Sequence, residues 1–361
     1  MGLPFVLSAY LGLSRIADPL AAVILRARLA RGKEHPERHH ERLGRSGLRR
    51  GDGPLIWFHG ASVGEANSVL PLISAYLSEA PEAQALLTTG TLTSARHVAD
   101  ALPSRCRHQF VPVDTAQAVR GFLDHWRPDL AIWVESEFWP RLMVETAARQ
   151  IPMMLVNARI SETSARRWAR AGGMMPHLIG LFDRIDAQDQ ETVTRLRNLG
   201  APEGRLGFAG NLKALAPIPS ADSAAVTAWR QRLGPRPVWL AASTHPGEEE
   251  IVLDAHGVLA RETVLILAPR HPDRGKAVAE MIAERRLPFV QLGKGQRLQP
   301  SHRVVLADTM GQMGLWLRLA PVSFIGGSLV DMGGHTPFEP AALDSAILHG
   351  PHTANFSPAY R

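Results

Sequence analysis

The sequence predicts an α/β protein of two doubly wound domains, each a parallel sheet covered by helices on both faces. Three observations predict it. The chain has 361 residues, too many for one small domain. Short apolar runs alternate with helix-length segments, as in parallel strands joined by crossover helices. The alternation restarts near residue 211, so that the two halves share one plan. Hydrophobic residues at 45% and charged residues at 20% supply a core and exclude disorder. Thirty-one Gly and 27 Pro without a period exclude collagen-like and repeat architectures. The single cysteine, Cys106, forms no internal disulfide and suits a reducing compartment.

Residues 1–50 read as a segment of their own. They hold ten Lys/Arg against four acids and so carry the whole net charge of +6. The remaining 311 residues balance at 30 basic and 30 acidic, which argues against a nucleic-acid partner. Residues 2–25 are apolar but interrupted by Arg15 and Asp18, and the uncharged run from Met1 to Ser14 is too short to span a bilayer. The positive charges follow the apolar stretch, the reverse of a secretory signal. This order suits an interfacial anchor: apolar side chains in the headgroup boundary, and the basic cluster from Arg26 to Arg50 on anionic lipid at about 1 kcal/mol per nearby cation. The alternative is a helix packed on the protein's own core.

Residues 51–210 form the first predicted domain. The strand Pro54 to Phe58 stops at His59-Gly60-Ala61-Ser62-Val63-Gly64-Glu65, ahead of a helix over Ala66 to Leu77. Further strands are predicted at Gln84 to Thr88, His108 to Val111, Leu130 to Val134 and Met153 to Val156, with helices over Thr115 to His125 and Phe138 to Arg149. Glu65 thus falls where a strand's carboxyl end meets a helix start, a place for a general base or for an acid favoured by the helix dipole. Gly60 to Gly64 also matches the G-x-S-x-G nucleophile elbow, which would make Ser62 an esterase nucleophile served by Asp331 and His335 or His352. Glu135 and Glu137 end a buried strand, where an acid needs a partner or a purpose, whether in chemistry or in holding backbone N–H groups or Arg159.

Residues 211–361 form the second predicted domain. A Pro/Ala/Ser-rich stretch, Ala214 to Ala224, leads through a helix to the strand Pro237 to Ala241 and the loop Ser243 to Glu249, which again ends in Gly-Glu. Strands follow at Val264 to Ala268, Phe289 to Leu292, Val304 to Leu306 and Val322 to Ile325. Two Rossmann-like domains facing a cleft would bind ligands at the carboxyl ends of these strands. Pro269-Arg270-His271-Pro272 and Gly326-Gly327-Ser328 are anion-binding arrangements, the first supplying a fixed cation and the second flexible backbone N–H groups. Glu339, after Gly333-Gly334-His335-Thr336-Pro337-Phe338, suits ribose hydroxyls. No P-loop, G-x-G-x-x-G or D-x-D occurs. His35 and His39 have metal-like spacing, but Pro36 and the surrounding cations make them surface residues.

Taken together, these segments resemble the 3-deoxy-D-manno-octulosonic acid (Kdo) transferase family of lipopolysaccharide synthesis. The carrying residues are His59 to Glu65, Glu135 to Pro140, Asn157 to Ser161, Gly210 to Lys213, Ser243 to Glu249, Pro269 to Pro272, Asp308 to Gly311, Gly326 to Leu329, Gly333 to Glu339 and Gly350 to Phe356. The resemblance implies a GT-B fold, CMP-Kdo as donor, the tetraacyl disaccharide precursor of lipid A as acceptor, and a place on the cytoplasmic face of the inner membrane. It implies no cofactor and no metal. Glu65 is then the general base for inverting attack, with Glu137 as a second candidate catalytic residue. The substrate-binding set is Ser62, Pro269, Arg270, Met310, Gly311, Gln312, Gly326, Gly327, Ser328, Thr336, Pro337, Phe338 and Glu339, with Glu339 on the ribose and Gly326 to Ser328 near the phosphate. CMP leaves with one phosphate, which Arg and backbone donors could stabilise without a metal.

The chain departs from the family pattern at Gln312, where an acid is usual, at Thr336, where Asn is usual, and at Ala214-Leu215, where Phe-Asp is usual. The family also continues past the position of Arg361, so an incomplete second domain is expected and an inactive shortened transferase is a third reading beside the esterase.

Overall fold

The computed structural model describes residues 2–99, 101–215 and 218–360. It divides into two compact units, residues 1–216 and 217–361. Unit 1 holds seven strands: β1 (Leu55–His59), β2 (Gln84–Thr89), β3 (Cys106–Phe110), β4 (Leu130–Val134), β5 (Met153–Ala158), β6 (Arg184–Ala187) and β7 (Leu206–Phe208). Their order is β3-β2-β1-β4-β5-β6-β7, every pairing parallel. Unit 2 holds β8 (Val238–Thr244), β9 (Val264–Pro269), β10 (Phe289–Gln291), β11 (Val304–Leu306), β12 (Val322–Ile325) and β13 (Ala346–Leu348). Its parallel order is β10-β11-β9-β8-β12-β13.

The strands read as unbroken apolar runs because both faces of each sheet are covered. Successive side chains alternate between faces, so β1 sends Leu55 and Trp57 into one core cluster and Ile56 and Phe58 into another. In unit 2, Leu240 and Ala242 face one cluster and Ala241 the other. Two strands escape a search for apolar runs: β6 spans four residues and carries an Arg184–Asp186 ion pair at 2.8 Å, and β7 spans three. Asn211 to Lys213 belong with unit 1, where the Leu212 N–H donates to Asn157 Oδ1 at 3.0 Å.

The N-terminal segment is part of unit 1. Helices α1 (Phe5–Ile16) and α2 (Asp18–Ala30) bend by 67° at Ala17, and no single helix among the described residues is long and apolar enough to cross a membrane. One face docks on the core: Leu7 and Leu11 join its main cluster, Tyr10 donates to Asp114 Oδ2 at 2.6 Å, and Arg141 Nε donates to Ser14 Oγ at 2.9 Å. The other face is open, with Phe5 86%, Ile16 74%, Leu13 65% and Leu20 62% exposed. The basic cluster is divided in the same way. Arg38, Arg42 and Arg50 turn inward to the carbonyls of His108, Val111 and Trp126, while Arg26, Arg31, Lys33, Arg45 and Arg49 stay exposed. Only part of the expected Arg26 to Arg50 cluster is therefore free to meet anionic lipid.

Three buried histidines stay neutral in the fold. Burial pushes His59 and His108 down to about 3 and His256 to about 4, against 6.5 ordinarily. The unfolded chain binds these protons and the folded chain does not, so their contribution to stability is present above about pH 6.5 and is lost as pH falls toward 4. Denaturant unfolding followed between pH 7 and 4 is expected to show a steadily lower midpoint, and a flat profile would contradict the assignment.

Candidate functional site

In each unit the site lies where the strand order reverses direction, between β1 and β4 and between β8 and β12, the crevice that doubly wound sheets offer to ligands. After β1 the chain turns through Gly60 to Ser62 into helix α3 (Val63–Glu79). Ser62 caps this helix: its Oγ accepts the Glu65 N–H at 3.3 Å, and the Glu65 carboxylate reaches back to the loop. Glu65 Oε2 accepts from the Ala61 N–H at 2.6 Å and the Ser62 N–H at 3.3 Å, while Oε1 accepts the Ser62 hydroxyl at 2.9 Å. A carboxylate has about four acceptor positions, so one on Oε1 stays open. This box explains why the helix begins three residues before the predicted Ala66.

The esterase reading fails here. Ser62 Oγ is engaged with Glu65, and among the described residues no imidazole hydrogen-bonds to it. Asp331 and His352 face one another at 3.5 Å, and His335 meets another histidine.

Beside Glu65, the chain leaving β4 carries Glu135 and Glu137. Burial raises both carboxyls, and the Glu65 charge raises them further. Lys213 Nζ, 3.6 Å from Glu135 Oε1, draws Glu135 back, and Trp139 Nε1 donates to Glu137 Oε2 at 2.8 Å. Glu135 takes φ 60°, and Asn157, which approaches it to 3.5 Å, takes φ 52°, both left-handed. The Gly210 to Lys213 segment thus contributes Lys213 to the acid cluster, a role that its sequence alone did not assign.

In unit 2, Pro269 and Arg270 at the end of β9 and the Met310-Gly311-Gln312 turn after β11 come together. All five line one cavity of about 160 Å³, with Trp316 and Thr309. Arg270 is exposed, and its N–H is fixed to the Thr244 carbonyl at 3.0 Å. Gln312 Oε1 accepts the Thr309 hydroxyl at 2.9 Å, and Met310 is 75% exposed at the rim. Glu339 opens the short helix Phe338–Ala341, half-buried, its carboxyl raised by burial. Thr336 Oγ1 accepts the Phe338 N–H at 3.4 Å, so Thr336 to Glu339 form one turn that does not line the cavity.

The Gly326 to Ser328 loop departs from expectation. Its N–H groups are already in use: Gly326 donates to the Ala242 carbonyl, and Gly327 and Ser328 donate to Glu248 at 2.7 and 3.0 Å. Glu248 also accepts from Leu329 at 2.9 Å and His245 at 2.9 Å. A buried carboxylate therefore occupies the backbone nest that the sequence suggested for a phosphate. The residues missed, His245 and Glu248, lie in the Ser243 to Glu249 loop, which mirrors His59 to Glu65 by ending in Gly-Glu after the first strand of its sheet.

These units and their switch-point sites define a protein of the GT-B glycosyltransferase type. A solved UDP-GlcNAc 2-epimerase of Neisseria meningitidis shares the fold, with TM-score 0.53 and 11% identity, over 85% of this chain and 90% of its own. Residues 37–216 match the family described as 3-deoxy-D-manno-octulosonic-acid transferase (kdotransferase). A 3-deoxy-D-manno-octulosonic acid transferase of Haemophilus influenzae is 32% identical over 98% of this chain and 84% of its own length. The solved C-terminal CMP-Kdo binding domain of WaaA from Acinetobacter baumannii is 34% identical over 38% of this chain and 77% of that one, with TM-score 0.36. The chain belongs to the Kdo transferase family, glycosyltransferases of lipopolysaccharide biosynthesis. Neither alternative, esterase or inactive remnant, gains support from these relatives.

Proposed function

We propose that the chain moves Kdo from CMP-Kdo to the tetraacyl disaccharide precursor of lipid A, at the cytoplasmic face of the inner membrane. The observation that carries this reading is the convergence of Pro269, Arg270, Met310, Gly311 and Gln312, far apart in sequence, on one cavity at the carboxyl ends of β9 and β11. The cavity takes the cytidine nucleotide, Arg270 faces its phosphate, and Glu339 waits for ribose hydroxyls. Glu65 removes the proton from the acceptor's primary hydroxyl, which attacks the Kdo anomeric carbon directly with inversion and releases CMP. Glu137 and Glu135 stand beside it at the same end of the sheet. The chemistry is metal-independent, so a chelator is expected to leave the rate unchanged.

The test is CMP release by purified protein. It is expected only when the lipid acceptor is present, and equal release without acceptor would sink the reading. Arg270→Ala is expected to raise the donor KM by roughly tenfold or more, the scale of one charge-assisted hydrogen bond. An unchanged donor KM would remove Arg270 from the phosphate.

The open face of α1 and α2 supports attachment to the membrane surface, since apolar side chains there lie beside exposed Arg15 and Arg26. Flotation with vesicles containing anionic lipid should carry the protein upward. A Phe5→Asp, Ile16→Asp double variant, altered only at exposed positions, is expected to stay at the bottom. Equal flotation would place attachment elsewhere.

A further inference from the structure

At the switch point of unit 2, two imidazoles from different loops meet edge to edge. His245 follows β8 and His335 follows the turn after β12; their Nε2 atoms lie 2.8 Å apart, with ring planes 11° from parallel. Both residues are fixed through their backbones. The His245 backbone N–H donates to Glu248, and the His335 backbone N–H and carbonyl are bound by the Gly326 carbonyl and the Tyr360 hydroxyl. Gly327, at φ 68°, makes room for the second ring: a Cβ there would come within 3.2 Å of His335 Cδ2.

Two imidazoles can meet through Nε2 in this way only if exactly one proton lies between those atoms. In the neutral pair one ring carries its proton on Nε2 and the other on Nδ1. A first added proton charges the pair and keeps the contact, whereas a second would set N–H against N–H. The pair is thus built to hold either no added proton or one.

Its surroundings are mixed in charge. Arg270 and His271, from the loop after β9, oppose a positive charge on the pair, and Glu248 and Glu249, from the helix Glu248–Gly257, favour it. His271 lies 6.1 Å from His245, ring to ring. Glu249 is already paired with Arg274, and Glu248 already accepts the loop's N–H groups. Burial comes first among the influences on both rings and favours the neutral state. An anion placed beside Arg270 would reverse that balance, and the Gly326 to Ser328 loop has no backbone N–H left to give it.

We propose that His245 and His335 form a one-proton anion site, which takes up a proton when the phosphate of the cytidine nucleotide docks beside Arg270. The cation so formed shares the phosphate charge with Arg270. This rests on the donor-site reading above and adds to it a proton linked to binding.

Calorimetric titration of the full chain with CMP at pH 7.5, in two buffers of different ionisation enthalpy, measures the protons taken up. Uptake approaching one proton is expected with CMP and none with cytidine. The phosphate of CMP, with its own ionisation near about 6, could also bind a proton. His335→Gln separates the two, and His245→Asn repeats the test from the other ring. Either variant should lose most of the uptake and hold CMP with an affinity nearly flat in pH, whereas the native protein weakens by about tenfold per pH unit across the transition. No uptake by the native protein overturns the proposal without recourse to variants. Undiminished uptake in a variant that binds CMP overturns it while leaving the donor site standing, and failure of the native protein to bind CMP removes both.

Discussion

Glu65→Gln is expected to lower kcat by roughly 10²–10⁴-fold while leaving CMP binding and the unfolding midpoint nearly unchanged. The substitution is chosen because Glu65 does two things. Its carboxylate closes the capping box of α3 through Ala61 and Ser62, and it leaves one acceptor position on Oε1 for a hydroxyl. Glutamine keeps an acceptor for the Ala61 N–H but is not a base at neutral pH. Glu65→Ala removes both functions, and should cost about 0.5–2 kcal/mol of stability in addition to the activity. Comparison of the two variants separates cap from base. A glutamine variant with near-native kcat would assign Glu65 to structure and return the search for the base to Glu137.

Glu248 gives the opposite expectation. Fully buried, it accepts four backbone N–H groups, those of His245, Gly327, Ser328 and Leu329, so every acceptor position is filled. Glu248→Gln keeps one oxygen and turns an amide NH₂ toward two of those donors. Each buried N–H left without a partner costs about 1–3 kcal/mol, and Glu248→Ala strands all four. Denaturant unfolding is expected to show a large loss of stability for both variants. Nucleotide binding should fail together with the fold of unit 2, not apart from it. A glutamine variant as stable as the native chain would contradict the role given to Glu248.

What was legible in the sequence follows from how far each signal reaches along the chain. Buried parallel strands announce themselves as apolar runs, and the residues just after them, Glu65, Glu135, Arg270 and Gly326, are fixed at the strand ends by that fact alone. The capping box Ser62-x-x-Glu65 is just as local, yet a helix drawn from Ala66 leaves both residues in the preceding loop and passes over it. The use of the Gly327 and Ser328 amides was not legible, because their acceptor, Glu248, lies 79 and 80 residues away in sequence. The His245–His335 contact spans 90 residues and likewise leaves no local trace. Strands β6 and β7 were hidden for a different reason: both are short, β6 is half polar, and only pairing, of β6 with β5 and of β7 with β6, makes strands of them.

The docking of α1 has a consequence for synthesis. Its anchors, Asp114 and Arg141, lie 104 residues beyond Tyr10 and 127 beyond Ser14. At about 5–20 residues added per second, the helix leaves the ribosome on the order of ten seconds before the groups that will hold it exist. During that interval both of its apolar faces are bare, and the inner face stays so until the chain that becomes β3 to β5 has been made. A lipid surface or a chaperone able to shelter the nascent helix would therefore act on the yield of folded protein, separately from any part the same helix takes in locating the finished enzyme.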